Sequence, residues 1–161
     1  MPTARDPFAD ALAVFVQDTA GRRNWGTIGL AEILKKVRVD EAQWKPAPDT
    51  HSIWEEVHHI NHWSRFVLDR LEARGKPTKQ AWPAAHGGAA GWRLALAGTA
   101  ALHATLVRRV ASLDQDALTA KHAASRYAMA QLILGCVSHI AYHVGQITLL
   151  RRLYRHAGRP V

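Results

Sequence analysis

Along most of this chain apolar residues recur at intervals of three and four, the repeat of one helical face, and no stretch alternates convincingly as a strand would. The first run carries Phe8, Leu12, Phe15 and Val16. Asp6-Pro7 ahead of it suits an N-cap followed by the first helical residue, and Gly21 offers a stop. Leu30, Ile33, Leu34 and Val37 mark a small helix over 30–37 within a long connection. Trp44-Lys45-Pro46-Ala47-Pro48-Asp49 is a loop, because two prolines forbid regular helix. Ser52-x-x-Glu55 has the form of a capping box and opens a helix predicted to run to about Arg74, with Gly75 beyond its end. Residues 75–88, with two prolines and three glycines, form a second long connection. A third long helix, about Ala89 to Ser112, carries Trp92, Leu96, Leu106 and Val110 on its apolar side and is weakened by Gly98. Leu113 to Ala124 reads as a link. The last helix runs from about Tyr127 to His156, with Gly158 and Pro160 as stops. Four long helices predict an all-α fold of the four-helix-bundle type, in one domain spanning 1–161, with long connections and a short extra helix.

Composition narrows the setting. A single cysteine, Cys136, allows no disulfide within the chain, so a reducing, cytoplasmic location is expected. The apolar N-terminal stretch is broken by Asp10 and Gln17 and suits neither a signal peptide nor an anchor. The most apolar segment, Leu132 to Leu150, is interrupted by His139, His143 and Gln146, and is expected to be a buried helix rather than a membrane span. A net charge of +8 invites a nucleic-acid reading. The basic residues are scattered, however, in pairs such as Arg22/Arg23, Lys35/Lys36 and Arg108/Arg109 and in Arg151/Arg152/Arg155. A solvated basic surface is therefore expected, and no nucleic-acid partner.

The chemistry concentrates in the ten histidines. On a wheel of ~100° per residue, with Leu132 at zero, His139 falls at about 340° and His143 at about 20°. Cys136, Gln146, Ile147 and Leu150 share that apolar face, and Tyr142 stands at its edge. Two imidazoles one turn apart on an inward face must both be desolvated; a divalent cation that both rings reach would repay this, and core histidines satisfied by hydrogen bonds are the alternative. In the helix after Ser52, Ile53, Val57, Ile60, Val67 and Leu71 set the apolar face. His59, at about 240° between Trp63 and Phe66, is the histidine best placed to reach the interior, whereas His58 and His62 point away from it as an exposed i, i+4 pair. Glu56-x-x-His59 matches half of a di-iron carboxylate motif, but the last helix lacks the second half. Glu56 is left as a partner to a ligand, a fourth ligand, or an acid favoured by the helix dipole. Cys136 reads as a small buried hydrophobe, with a role as ligand or nucleophile the alternative. Gln146 is placed to hydrogen-bond a ligand or metal-bound water. Trp25, Trp54, Trp63, Trp82 and Trp92 are expected to be packing residues.

The run Ser138-His139-Ile140-Ala141-Tyr142-His143-Val144-Gly145-Gln146-Ile147-Thr148-Leu149-Leu150-Arg151-Arg152 resembles the C-terminal signature of the DinB-like superfamily of damage-inducible helical metalloproteins. Ser52-Ile53-Trp54-Glu55-Glu56-Val57-His58-His59-Ile60 with Trp63 is similar to that family's second-helix motif, and Trp25-Gly26, Trp82-Pro83 and Trp92 fall in a similar order. The resemblance implies an up-down-down-up four-helix bundle, often a homodimer, with a metal held by His59, His139 and His143. Characterised members include bacillithiol S-transferases and mycothiol-dependent maleylpyruvate isomerase. By resemblance, then, the metal would bind a low-molecular-weight thiol as thiolate for attack on an electrophile.

These readings lead to a divalent-metal protein with Zn²⁺ as first choice and Ni²⁺, Fe²⁺ or Mn²⁺ as the others imidazole tolerates. A thiol S-transferase is the expected activity, with Tyr142 and Gln146 near the bound small molecule. The alternatives are a metal-dependent hydrolase and a non-catalytic, stress-related binding protein using its basic surface.

Overall fold

The computed structural model describes residues 6–73, 82, 85–121 and 126–158. Its elements, in chain order, are α1 (Pro7–Ala20), α2 (Leu30–Leu34), α3 (Val39–Gln43), α4 (Ile53–Leu71), α5 (Gly88–Val110), α6 (Gln115–Thr119) and α7 (Met129–His156). Among the described residues the protein is all-helical, with two isolated bridges, Arg23 to Ile28 and Lys121 to Ala128.

Local chemistry sets the helix ends. The Asp6 carboxylate accepts from the backbone N–H of Phe8 and Ala9 at 2.7 and 3.1 Å, with Pro7 at the first helical position. Ser52 and Glu55 form the reciprocal capping box: Glu55 N donates to Ser52 Oγ, and Ser52 N donates to Glu55 Oε2. α4 stops at Leu71 rather than near Arg74, because Ala73 takes a left-handed φ of 52° before Gly75 is reached; Arg74 and Gly75 lie outside the described residues. Likewise, α2 is shorter than 30–37, and two one-turn helices, α3 and α6, stand where only connections were expected. Asp114 caps α6 by accepting from Ala117 N at 2.8 Å.

The long helices pack in pairs: α1 on α5 and α7, and α4 on α5 and α7. The core between them includes Val16, Val57, Ile60, Leu106, Ile133 and Ile140, all essentially inaccessible. On α1 the buried face includes Ala9, Leu12, Ala13, Val16 and Ala20, while Phe8 and Phe15, which share the helical spacing of Leu12 and Val16, are exposed. Trp54 and Trp92 are buried and pack on each other, and the Trp92 indole N–H donates to Val37 O at 2.9 Å. Trp25, expected to pack, is wholly exposed in the turn after α1. α7 has the length and mean hydropathy of a membrane-crossing segment. Here its face bearing Ile133, Val137, Ile140, Val144 and Ile147 is buried against α1 and α4 as a core helix. That placement sets the next level: the residues of α4 and α7 that share the seam are the ones able to meet.

Candidate metal centre

His59 on α4 and His139 and His143 on α7 meet at that seam. His139 Nε2 lies 3.1 Å from His59 Nε2 and 3.0 Å from His143 Nε2. His59 and His143 are 8% and 5% exposed, and His139 is partly open to solvent. Burial, reinforced by the neighbouring imidazoles, pushes the His139 pKa down to about 4, so the ring is neutral at pH 7.

Glu56, one turn before His59, completes the group. Its Oε2 lies 2.5 Å from His143 Nδ1, and both side chains are buried. An ionised carboxylate only accepts, so Nδ1 is the donor, and His143 presents its Nε2 lone pair to the other two rings. Of the alternatives left open for Glu56, the structure places it as the partner that orients His143. His139 Nδ1 is buried without a partner, so nothing among the described residues fixes its tautomer in the same way.

Three imidazole nitrogens so arranged are poorly served by protons alone. The His139 Nε2 carries either one N–H or one lone pair, and so can satisfy one neighbour at a time. A divalent cation accepts all three lone pairs. The separations of 3.1 and 3.0 Å are within a few tenths of the ~3.4 Å edge of a tetrahedral site with Zn–N near 2.05 Å. The three histidines can therefore hold a metal ion.

The surroundings are aromatic. Trp82 stacks on His59 at 3.9 Å between centroids and 11° between planes, and its ring also stacks on His51 at 3.6 Å and 4°. Trp63 meets His59 and His139 edge to face, and Tyr142 meets His143 likewise at 5.0 Å. Trp63 and Trp82 thus line the site instead of merely packing; Trp63 flanks His59 on the α4 wheel, whereas Trp82, in a connection, carries no periodicity to place it. Tyr142 is itself exposed, and Gln146 is half-buried one turn beyond His143. His58 does not join His62 as a donor pair: its Nε2 accepts from the Trp54 indole N–H at 2.9 Å.

Cys136 is buried one turn before His139, and burial raises its thiol to about 11, which leaves it protonated and unreactive at neutral pH. Its Sγ is 3.7 Å from Ser64 Oγ, which in turn lies 3.0 Å from His103 Nε2 on α5. Burial pushes His103 down to about 4 against its ordinary 6.5. Between these two values the unfolded chain holds a proton that the folded chain refuses, so stability falls as pH drops from 6.5 to 4. His103 alone is expected to contribute up to about 3 kcal/mol of that loss. Urea unfolding at pH 7 and pH 4.5 measures it, and His103→Gln should reduce the difference without removing it, since His139 is shifted in the same direction; an unchanged pH dependence in that variant contradicts the assignment.

The family model described as DinB superfamily matches residues 29–147, which include His59, His139 and His143 and well over half of the chain. No curated protein and no solved structure matches it.

Proposed function

We propose that this chain, which belongs to the DinB superfamily, is a metal-dependent transferase that joins a low-molecular-weight thiol to an electrophilic small molecule, with His59, His139 and His143 as the metal ligands. The convergence of three Nε2 atoms from α4 and α7, with no proton arrangement that serves them all, is the observation that carries this reading. Three neutral histidines leave a coordination position free, and the donor set favours Zn²⁺, with Ni²⁺, Fe²⁺ and Mn²⁺ as the other candidates. When bound, such a cation supplies a Lewis acid that lowers the pKa of a coordinated thiol or water.

The chain's own residues have distinct tasks in this scheme. Glu56 keeps the His143 proton on Nδ1, and Trp82 and Trp63 shield the faces and edges of the histidines from water. Cys136 is buried with its Sγ against Ser64 Oγ, and burial raises its thiol, which favours an external thiol as the cosubstrate. Tyr142 and Gln146 are proposed to contact it, as the exposed and half-buried polar residues next to His143. The basic surface would steer an anionic thiol towards the site. The four long helices are read as the up-down-down-up bundle of the superfamily.

The test offers bacillithiol, mycothiol, glutathione and coenzyme A, each with a haloarene or bimane electrophile, to metal-loaded and chelated protein. Turnover with one thiol that disappears on chelation is the expected result. Absence of metal-dependent turnover with every thiol sinks the reading, and metal-dependent ester hydrolysis in its place would transfer the site to a hydrolase.

A further inference from the structure

A cleft of about 690 Å³ runs between α4 and α7 and reaches the metal centre at His139. Trp63, Phe66 and Val67 form one wall, and Leu132, Gly135 and Cys136 form the other. His139 closes one end. Gln131 lines the other end, eight residues earlier on α7 and so about 12 Å away along the helix. Arg126 stands there, and among the described residues of the lining it is the one arginine or lysine, with no carboxylate. Its Nη2 donates to the Tyr127 hydroxyl at 2.6 Å and its guanidinium lies 4.8 Å over that ring, and no described acid pairs with it. The start of α7, where Ala128 has no capping side chain, turns the positive end of a 28-residue helix towards the same corner. In the middle of the α7 wall, a Cβ added at Gly135 would meet nothing within 4 Å. Glycine there relieves no clash and weakens the helix relative to alanine, while it leaves the cleft clear.

We propose that this cleft seats the electrophilic substrate, an aryl- or alkyl-bodied molecule that ends in one anionic group held by Arg126 and presents its reactive end to His139 at the opposite end. The choice of reactive end rests on the function proposed above. Phe66, Val67 and Leu132 offer no partners to hydroxyls, so the middle of the cleft suits a hydrocarbon body better than a sugar-bearing thiol. A cationic terminus would face Arg126 directly.

The experiment is calorimetric titration of the full chain, as purified and after chelation, with 6-phenylhexanoate, 6-phenylhexan-1-ol and 6-phenylhexylamine. The acid is expected to bind about tenfold tighter than the alcohol in both metal states, with the amine weakest. Arg126→Ala should bring the acid down to the alcohol's affinity and leave the alcohol unchanged. Gly135→Leu should weaken both about tenfold or more while the helical circular dichroism is kept. Equal binding of acid and alcohol, or unchanged binding in Gly135→Leu, overturns the proposal. Binding of the acid only to the metal-loaded protein also overturns it, and assigns the carboxylate to the metal instead. Acid-selective binding that survives chelation, in a protein with no thiol turnover, keeps the cleft and sinks the transferase reading alone.

Discussion

Alanine at His143 is expected to abolish metal retention, and alanine at Glu56 to weaken it by about ten- to a hundredfold without removing any ligand. His143 sits at the point where two demands meet. Its Nε2 faces His139, and its Nδ1–H is held by Glu56 from the other helix. Removing the ring leaves two donors, too few for a closed structural or catalytic site. Removing only the carboxylate frees the ring to rotate and to change tautomer, so that the lone pair is no longer committed to Nε2. Glutamine at position 56 still accepts a hydrogen bond and should fall between alanine and the native residue. Elemental analysis of purified variants gives the stoichiometry, and competition with a chromophoric chelator gives the affinity. Native affinity in Glu56→Ala would show that the carboxylate has no part in holding the metal.

Arg151→Ala is expected to destabilise the fold by about 3–5 kcal/mol, although it lies outside the metal centre. Arg151 Nε donates to Glu41 Oε1 at 2.7 Å and its Nη1 donates to Ile33 O at 2.9 Å, tying α7 to α2 and α3. Glu41 is only 2% exposed, so loss of the guanidinium strands a carboxylate and a carbonyl away from water. The pair itself need not be strongly favourable. The double variant Glu41→Leu/Arg151→Met, which takes both charges away, should recover most of the loss. Denaturant unfolding of both variants decides the matter: a loss below about 1 kcal/mol in Arg151→Ala, or a double variant as unstable as the single one, would contradict this account.

The histidines were legible in the sequence because helical periodicity is a local property. His139 and His143 are one turn apart, and the wheel that sets α4's apolar face separates His59 from His58 and His62. The caps at Asp6 and Ser52 were legible for the same reason, since each partner lies within three residues. What remained hidden depends on how distant elements register. Glu56 meets His143 across 87 residues and Arg151 meets Glu41 across 110, distances over which sequence pattern says nothing. Trp82 lies in a connection, so its stacking on His59 follows from tertiary placement alone. The cleft combines walls from two helices, and Arg126, at its far end, was only one more scattered basic residue. On α1, Phe8 and Phe15 are apolar yet point outward, while small alanines fill the contact. Apolarity counts towards burial, but close helix packing favours small side chains.

His59 and His139 are eighty residues apart in the chain and adjacent in space. An ion bound to both does in the folded chain what a crosslink does: it closes a loop whose ends the unfolded chain would rarely bring together. Affinity for the ion and cohesion of α4 with α7 are then one quantity seen from two sides. Each hundredfold excess of free ion over its dissociation constant adds about 2.7 kcal/mol to the fold. The same seam forms one end of the cleft, so an ion held there would also keep its two walls together.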